Sequence, residues 1–529
     1  MMPPPVDHWL FVAAPFLFYG LVVYLLALFG EHGEERNLIA IFFRRISWSL
    51  ERLTGYPGWA MAGALSALLM LGVAVTGLYW DVAFHIDRGR DEVLFTPSHT
   101  MIVLGLGGLV YSAVIAVIFA TLERAPVGLR FLGLQLPWSA LTLAALGAGG
   151  VAGFPLDDLW HEAYGIDVTL WSPTHLQLVG GGALATLPVW LMLLEARPRG
   201  RPTLLGRGIH VLALGAVLTG LSAFQGEFEF GVPQFQVAYL PILVAAAAAF
   251  TLVLARVDLG PGGALKAVVA FLVVRGCIGL IVAGAFHHTL PRFPLYLVAA
   301  VCVEAAARAL GTARRLRFAL VAGTLVGTIG VAAEMVWVRA SGWFPDSPPA
   351  LSKAVLLAPV AAVAAAILGA ALTRAVGDRV RLSWPAVALA LVFLAAALAY
   401  PLPRNVGPVE AIVRLQPAGS SATVDVALLP PDAARRATAF AVVSWQGGGR
   451  VQAALLEVAP GRYVSSRPVP ISGSWKSMVS LQRDDEVMAA PIYLPADPAI
   501  GASAVPALPE RQVRFVRNTE VLLREAHGG

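Results

Sequence analysis

Two stretches of the sequence carry the same pattern of aspartate and histidine, side chains that bind transition metals. The two copies align without a gap and share Asp, His, Gly, Asp, Leu, an aromatic residue, Pro and His in that order. The positions with metal-ligand chemistry are Asp81, His85 and His99 in the first copy and Asp157, His161 and His175 in the second. A carboxylate and two imidazoles make a three-ligand site with open positions, a set that suits copper, zinc or non-haem iron.

The spacing within each copy predicts how the ligands would meet. Asp81 and His85 are four residues apart, so on a helix they share one face. Pro97 favours the first turn of a new helix, which would place His99 in that turn, facing back toward the earlier pair. Two further carboxylates could orient a histidine from behind the ligands, namely Asp91 and Asp167. An alternative is that these polar residues cap helix ends and satisfy each other at the helix interface, although the duplication favours a shared ion.

The elements that must position these residues are membrane-spanning helices. Of the 529 residues, 57% are hydrophobic and only 13% are charged, against about 25% charged in a soluble domain. Apolar runs long enough to cross a hydrocarbon core of about 30 Å recur along the chain, and lipid requires that they be helices. They predict about twelve spans, near 9–30, 59–79, 99–121, 137–154, 175–195, 207–224, 237–255, 265–285, 294–310, 317–338, 351–374 and 384–401.

The loops between these spans alternate between two kinds. One kind is rich in arginine, and the other is acidic or carries histidine and aromatic residues, at 80–98, 155–174, 225–236, 286–293 and 339–350. The positive-inside rule places the arginine-rich loops in the cytoplasm. We therefore expect a multi-pass protein of the inner (plasma) membrane, with both termini and both motifs on the outer side. The lipid bilayer is the expected partner, nucleic acid is not, and 31–58 reads as an amphipathic interfacial helix.

A second pair of predicted outer loops contains weaker candidates for metal binding. These are Glu227 and Glu229 in one loop and His287 and His288 in the other. Two carboxyl groups within apolar runs, Glu304 and Glu334, are either proton relays or ion ligands, or packing residues that are hydrogen-bonded in place.

The character of the sequence changes after about residue 403. Short alternating runs between Gly- and Pro-rich turns predict a β-sandwich (Ig-like) domain over 404–498, outside the membrane, which follows a transmembrane domain at 1–403 and precedes a tail at 499–529. This domain has no cysteine and no histidine, so it cannot hold a type 1 copper centre. The strings Gly473-Ser-Trp475 and Pro491-Ile-Tyr-Leu-Pro resemble the small Ig-like domains of FixH/YtkA-type membrane-associated proteins. We interpret the domain as a docking or lid module.

The first motif resembles the C subunit of the copper-containing membrane monooxygenases (particulate methane and ammonia monooxygenases). The likeness covers about residues 58–182 and is most specific in the string Phe95-Thr-Pro-Ser-His99. In that family Asp-x3-His-x12-His ligates copper, and a downstream Asn-x3-His-x13-His binds copper at a neighbouring site. The first copy here has thirteen residues between its histidines, and the second keeps the spacing but has Asp157 in place of Asn. The resemblance implies bound copper and partner membrane subunits.

Three functions follow from these observations. The first is a copper-dependent membrane oxidoreductase or a monooxygenase-like subunit of one, supplied with electrons by a quinol or an outer-face donor because no Cys-x-x-Cys-His haem motif is present. The second is a metal-ion transporter or metal-handling protein, since tandem helix hairpins also suit a transporter scaffold. The third is an assembly factor whose outer domain recruits a partner, which would leave the paired motifs without a purpose.

Overall fold

The computed structural model describes most of the chain. The described residues are 17–18, 20–22, 24–25, 38–88, 95–164, 170, 172–198, 200–231, 239–341, 352–377, 384–399, 407–446, 449–483, 486–496 and 502–522. They form a helical part and a C-terminal β domain, as the sequence predicts.

The helical part consists of long apolar helices joined by short connections. Its helices are α1 (Leu38–Thr54), α2 (Gly58–Asp87), α3 (Pro97–Glu123), α4 (Trp138–Tyr164), α5 (Pro173–Ala196), α6 (Leu204–Ser222), α7 (Gly226–Phe230), α8 (Tyr239–Leu259), α9 (Gly263–Leu280), α10 (Leu297–Leu310), α11 (Arg315–Leu325), α12 (Val331–Ala340), α13 (Ser352–Gly377) and α14 (Trp384–Ala399). A small hairpin of β1 (Leu129–Phe131) and β2 (Leu134–Leu136) joins α3 to α4. The interior of α8 is fully buried at Leu240, Ala249 and Leu252, so this helix lies at the centre of the bundle.

Nine helical stretches within the described residues are long and apolar enough to cross a membrane, and the protein is therefore a multi-pass membrane protein. They are Gly58–Asp87, Pro97–Glu123, Trp138–Trp160, Pro173–Ala196, Leu204–Phe230, Tyr239–Leu259, Gly263–Ala285, Arg315–Ala340 and Leu356–Thr373. Two other predicted spans form shorter helices, since α10 has 14 residues and α14 has 16. The predicted span at 9–30 lies mostly outside the described residues. The helix predicted at the interface forms as α1, where Phe42 and Trp48 are exposed and Phe43 packs on the core.

The two copies of the motif form two helix hairpins, α2 with α3 and α4 with α5, and small residues let each pair approach closely. A Cβ added to Gly105 of α3 would lie 2.5 Å from the backbone nitrogen of Ala74 in α2. At the equivalent place in the second hairpin, a Cβ on Gly181 would lie 2.7 Å from Cα of Gly150. Backbone contact of this kind is typical of membrane helices with Gly or Ala at the interface. The repeat in sequence is therefore also a repeat in packing.

The C-terminal domain is built from antiparallel strands. They are β3 (Glu410–Ala418), β4 (Ser421–Leu429), β5 (Ala437–Trp445), β6 (Arg450–Ala459), β7 (Arg462–Ser465), β8 (Val469–Pro470), β9 (Lys476–Arg483), β10 (Glu486–Tyr493), β11 (Glu510–Arg514) and β12 (Val516–Arg517), followed by helix α15 (Asn518–Leu522). The strand order is β11-β3-β4-β7-β6-β5-β9-β10-β12, with β8 beside β4. Val413, Val426, Val479 and Met488 share one core, so strands distant in the path pack together. Because β11 and β12 belong to the sheet, the domain continues past the predicted boundary at 498.

Candidate metal centre

The first motif brings its three predicted ligands together at the end of the α2–α3 hairpin. Asp81 and His85 lie in the last two turns of α2, and His99 lies in the first turn of α3. The Asp81 Oδ2 atom is 3.6 Å from Nε2 of His85, and Oδ1 is 3.0 Å from Nε2 of His99. One ligand atom from each residue lies within 4.8 Å of the other two.

These distances are compatible with a shared transition-metal ion. Ligand atoms about 2.0–2.2 Å from one ion lie roughly 3–3.6 Å from each other, as the two carboxylate–imidazole distances do. The His85 side chain is 40% exposed, whereas that of Asp81 is 15% exposed. A site anchored on the partly buried carboxylate and open at His85 would allow both ion entry and an additional ligand.

A cap at the start of α3 holds the second imidazole in place. The backbone N–H of His99 donates to the Thr96 hydroxyl at 3.3 Å, and Pro97 begins the helix as predicted. The Ser98 hydroxyl donates to Asp81 Oδ1 at 2.8 Å. Ser98 therefore fixes the carboxylate across the hairpin, a role that outer hydrogen bonds commonly have at metal sites.

The second motif repeats this arrangement as far as it is described. His175 Nε2 lies 3.2 Å from Asp157 Oδ2. The Thr174 hydroxyl donates to Asp157 Oδ1 at 2.5 Å, as Ser98 does in the first copy. His175 also has its backbone N–H bonded to the Ser172 hydroxyl. His161 lies on α4 one turn after Asp157, but its side chain is outside the described residues, as are Asp91 and Asp167 entirely.

The weaker candidates for metal binding, Glu227 and Glu229, interact with other groups of the protein. Glu227 accepts a hydrogen bond from the backbone N–H of Leu170 at 2.7 Å, so it ties α7 to the loop before α5. Glu229 forms a fully buried ion pair with Arg275 of α9, whose guanidinium lies 3.7 Å from the centre of the Tyr79 ring. These two carboxylates thus have non-metal partners in the structure.

The adjacent histidines lie beside the first centre rather than in it. His288 Nδ1 is 3.0 Å from Asp87 Oδ2, and the Thr289 backbone N–H donates to the same oxygen at 2.7 Å. Asp87 is the last residue of α2, so this loop holds the helix two residues after His85. His287 is exposed and has a positive φ of 58°.

The two remaining candidate carboxyl groups, Glu304 and Glu334, bind backbone N–H groups, and Glu304 also pairs with Arg256 at 2.8 Å. Glu304 accepts from Gly262 and Ala264 at the start of α9, at 3.1 and 3.0 Å. Glu334 accepts from Leu295 at 2.9 Å and from Tyr296 at 2.5 Å, before α10. Of the two roles left open by the sequence, these contacts favour the structural one.

Sequence reasoning missed several residues that support the site. Ser98 and Thr174 occupy equivalent positions in the two copies. The presence of a hydroxyl group at this position in both copies could have indicated their role. Arg275 could have been found as a lone charge within an apolar run, since such residues need a partner. No sequence pattern could have predicted the contact from the β domain, because it involves backbone atoms. The backbone N–H of Gln446 donates to the Ile86 carbonyl at 2.8 Å.

No family model matches the sequence, and no curated protein or solved structure matches it either.

Proposed function

We propose that this protein is an integral membrane metalloprotein that binds copper through Asp81, His85 and His99. The observation that carries the proposal is the convergence of one carboxylate and two imidazoles, whose ligand atoms lie within 4.8 Å of one another. The second copy, with Asp157, His161 and His175, is proposed as a second centre of the same kind. Zinc and iron remain alternatives, since imidazole and carboxylate ligands suit all three metals.

The duplicated geometry supports this proposal over a structural role. In both copies a hydroxyl residue donates to one oxygen of the aspartate, and a histidine nitrogen lies within 3.2 Å of a carboxylate oxygen. Hydrogen bonds of this kind orient a carboxylate and raise the affinity of a metal site. If each hairpin binds an ion, the same three residue types are expected at the equivalent positions of the two copies.

Within this proposal, the protein is a copper-dependent membrane oxidoreductase or a monooxygenase-like subunit of one. The resemblance of residues 58–182 to the C subunit of membrane monooxygenases supports this class, and partner membrane subunits and a quinol or outer-face electron donor would complete the enzyme. Copper held by two imidazoles and a carboxylate, with a position left open, is suited to dioxygen chemistry. The protein residues would bind and orient the ion, and the exposed edge at His85 would admit the substrate.

Metal analysis of the purified full-length protein is the direct test. After reconstitution we expect about two copper ions per chain, and their loss from a His85→Ala/His161→Ala double variant. Protein that stays metal-free at micromolar copper would refute the proposal. Quinol-dependent oxygen uptake, compared with copper flux in liposomes, would then separate the oxidoreductase from a transporter.

A further inference from the structure

The hairpin loop between β5 and β6 lies against the end of the helix that carries His85. The backbone N–H of Gln446 donates to the Ile86 carbonyl at 2.8 Å, and its side-chain amide donates to the His85 carbonyl at 3.4 Å. The last carbonyl groups of a helix lack the usual partner within the helix, and at the end of α2 the Arg88 backbone N–H donates to those of Phe84 and His85. The β domain therefore supplies partners to the end of α2 at the metal-ligand residue itself.

Arg450 anchors the same loop to a second helix. It opens β6, pairs with Trp445 across the hairpin, and its Nη1 donates to the carbonyl of Phe230, the last residue of α7, at 3.0 Å. Burial and the positive charges of Arg292 and Arg467 lower the pKa of Arg450 to about 9. The guanidinium thus stays charged at neutral pH, and its hydrogen bond to the carbonyl is charge-assisted.

The backbone of the loop is also unusual. Gln446 has a φ of +71°, in the left-handed region that residues other than glycine rarely adopt. Such a conformation persists where the surrounding structure holds it, and it occurs often at functional sites. Here the strand pairing on one side and the bond to Ile86 on the other hold it.

We propose that Gln446 and Arg450 are positioning residues for the first metal centre. The β domain fixes the end of α2 and so fixes the His85 imidazole relative to His99. The second copy is supported differently in the part of the chain that is described, because its loop is tied through Leu170 to Glu227 of α7. Within the described residues, the two centres are therefore held differently: the β domain contacts the end of α2 directly, and it reaches the second copy through α7. This inference rests on the proposed function.

The test compares each centre alone in the full-length protein. A His175→Ala background leaves the first centre, and a His85→Ala background leaves the second. Into each we introduce Arg450→Met, with Arg450→Lys as the variant that keeps the charge. Arg414→Met is the matched control, because Arg414 is an exposed arginine of the same domain that pairs with Glu510.

Copper(II) affinity and the electron paramagnetic resonance spectrum are measured in each background. We expect Arg450→Met to weaken copper binding about 10-fold or more at the first centre, with altered copper hyperfine splitting. The loss at the second centre should be clearly smaller, because Arg450 reaches that copy only through α7. Arg450→Lys should recover most of the affinity, and Arg414→Met should behave as its parent. Equal losses at both centres, or none at the first, would overturn the inference.

A metal-free readout separates this inference from the proposed function. Hydrogen–deuterium exchange of the metal-free protein should be faster at the end of α2, residues 84–88, in Arg450→Met than in Arg414→Met. If the parent proteins bind no copper, the proposed function fails while this measurement still reports on the contact. Unchanged exchange at 84–88 would show that the β domain does not hold the helix end.

Discussion

Replacing Ser98 by alanine is the most selective perturbation of the first centre. The Ser98 hydroxyl donates to Asp81 Oδ1 at 2.8 Å from the first turn of α3, and Ser98 is only 3% exposed. The substitution keeps all three proposed ligands and the helix cap at Thr96. It removes the hydrogen bond that fixes the carboxylate, together with the 3.0 Å contact between the Ser98 and Thr96 hydroxyls. Its effect therefore measures how far these hydroxyls matter for orienting the carboxylate.

The expected loss follows from the energy of one hydrogen bond to a charged acceptor. Such a bond contributes about 1.5–3 kcal/mol, and about 1.4 kcal/mol corresponds to a tenfold change in an equilibrium constant. The carboxylate can relax toward the His99 imidazole, 3.0 Å from the same oxygen, and recover part of this energy. We therefore expect copper affinity at the first centre to fall about 10- to 100-fold, in the range known for outer residues of metal sites.

The assay is a copper titration against a chromophoric chelator, in the His175→Ala background so that only the first centre reports. Ser112→Ala is the control, because Ser112 is a buried serine of the same helix whose hydroxyl donates to its own helix at Gly108. That variant should bind copper like its parent. A Ser98→Ala protein with an affinity within threefold of the parent would refute the reasoning that this hydroxyl prepares the carboxylate for a metal.

Three further predictions concern stability. Arg275→Met alone should lower the free energy of unfolding by about 3–5 kcal/mol, because it leaves the Glu229 charge buried without its partner. The double change with Glu229→Leu should cost much less, and detergent-denaturation midpoints of the four proteins would show whether the pair is coupled. Gly105→Ala should destabilise by about 1–3 kcal/mol, since its Cβ would collide with backbone, whereas Gly72→Ala, in open space on α2, should be neutral or stabilising in the same assay. Because the pKa of Arg450 is lowered from 12.5 to about 9, the folded state binds fewer protons than the unfolded state between those values. Its stability relative to Arg450→Met should therefore rise as the pH increases above about 9, and a difference that falls over pH 8–10.5 would contradict this assignment.

The membrane helices and the motif geometry were within reach of the sequence because both depend on local rules. Apolar runs and the need to satisfy backbone hydrogen bonds in lipid fix the type of element. The four-residue interval between Asp81 and His85, and the helix start at Pro97, fix the approximate directions of the ligands. The structure bears out these local expectations: α3 begins at Pro97, and His99 faces Asp81.

The residues that surround the site were beyond prediction for physical reasons. The partners of Asp87 are His288 and Thr289, about two hundred positions along the chain, and no local pattern specifies such a pairing. Glu229 was a candidate ligand because a carboxylate in a predicted loop can bind an ion, but the fold brings Arg275 against it. Tertiary packing decides which buried charges meet. No local pattern in a single sequence specifies that packing.

Helix capping by itself does not account for the histidines of the motif. The caps of α3 and α5 are hydrogen bonds from the backbone N–H of His99 and His175 to the hydroxyls of Thr96 and Ser172. Any residue with a backbone N–H would serve at those two positions, so helix capping does not require an imidazole there. Yet both imidazoles have a nitrogen within 3.2 Å of an aspartate oxygen. Helix capping alone does not explain why the ring and the carboxylate recur. A cation bound between these atoms and a hydrogen bond from the ring to the carboxylate both do, and the copper content of the purified protein decides between them.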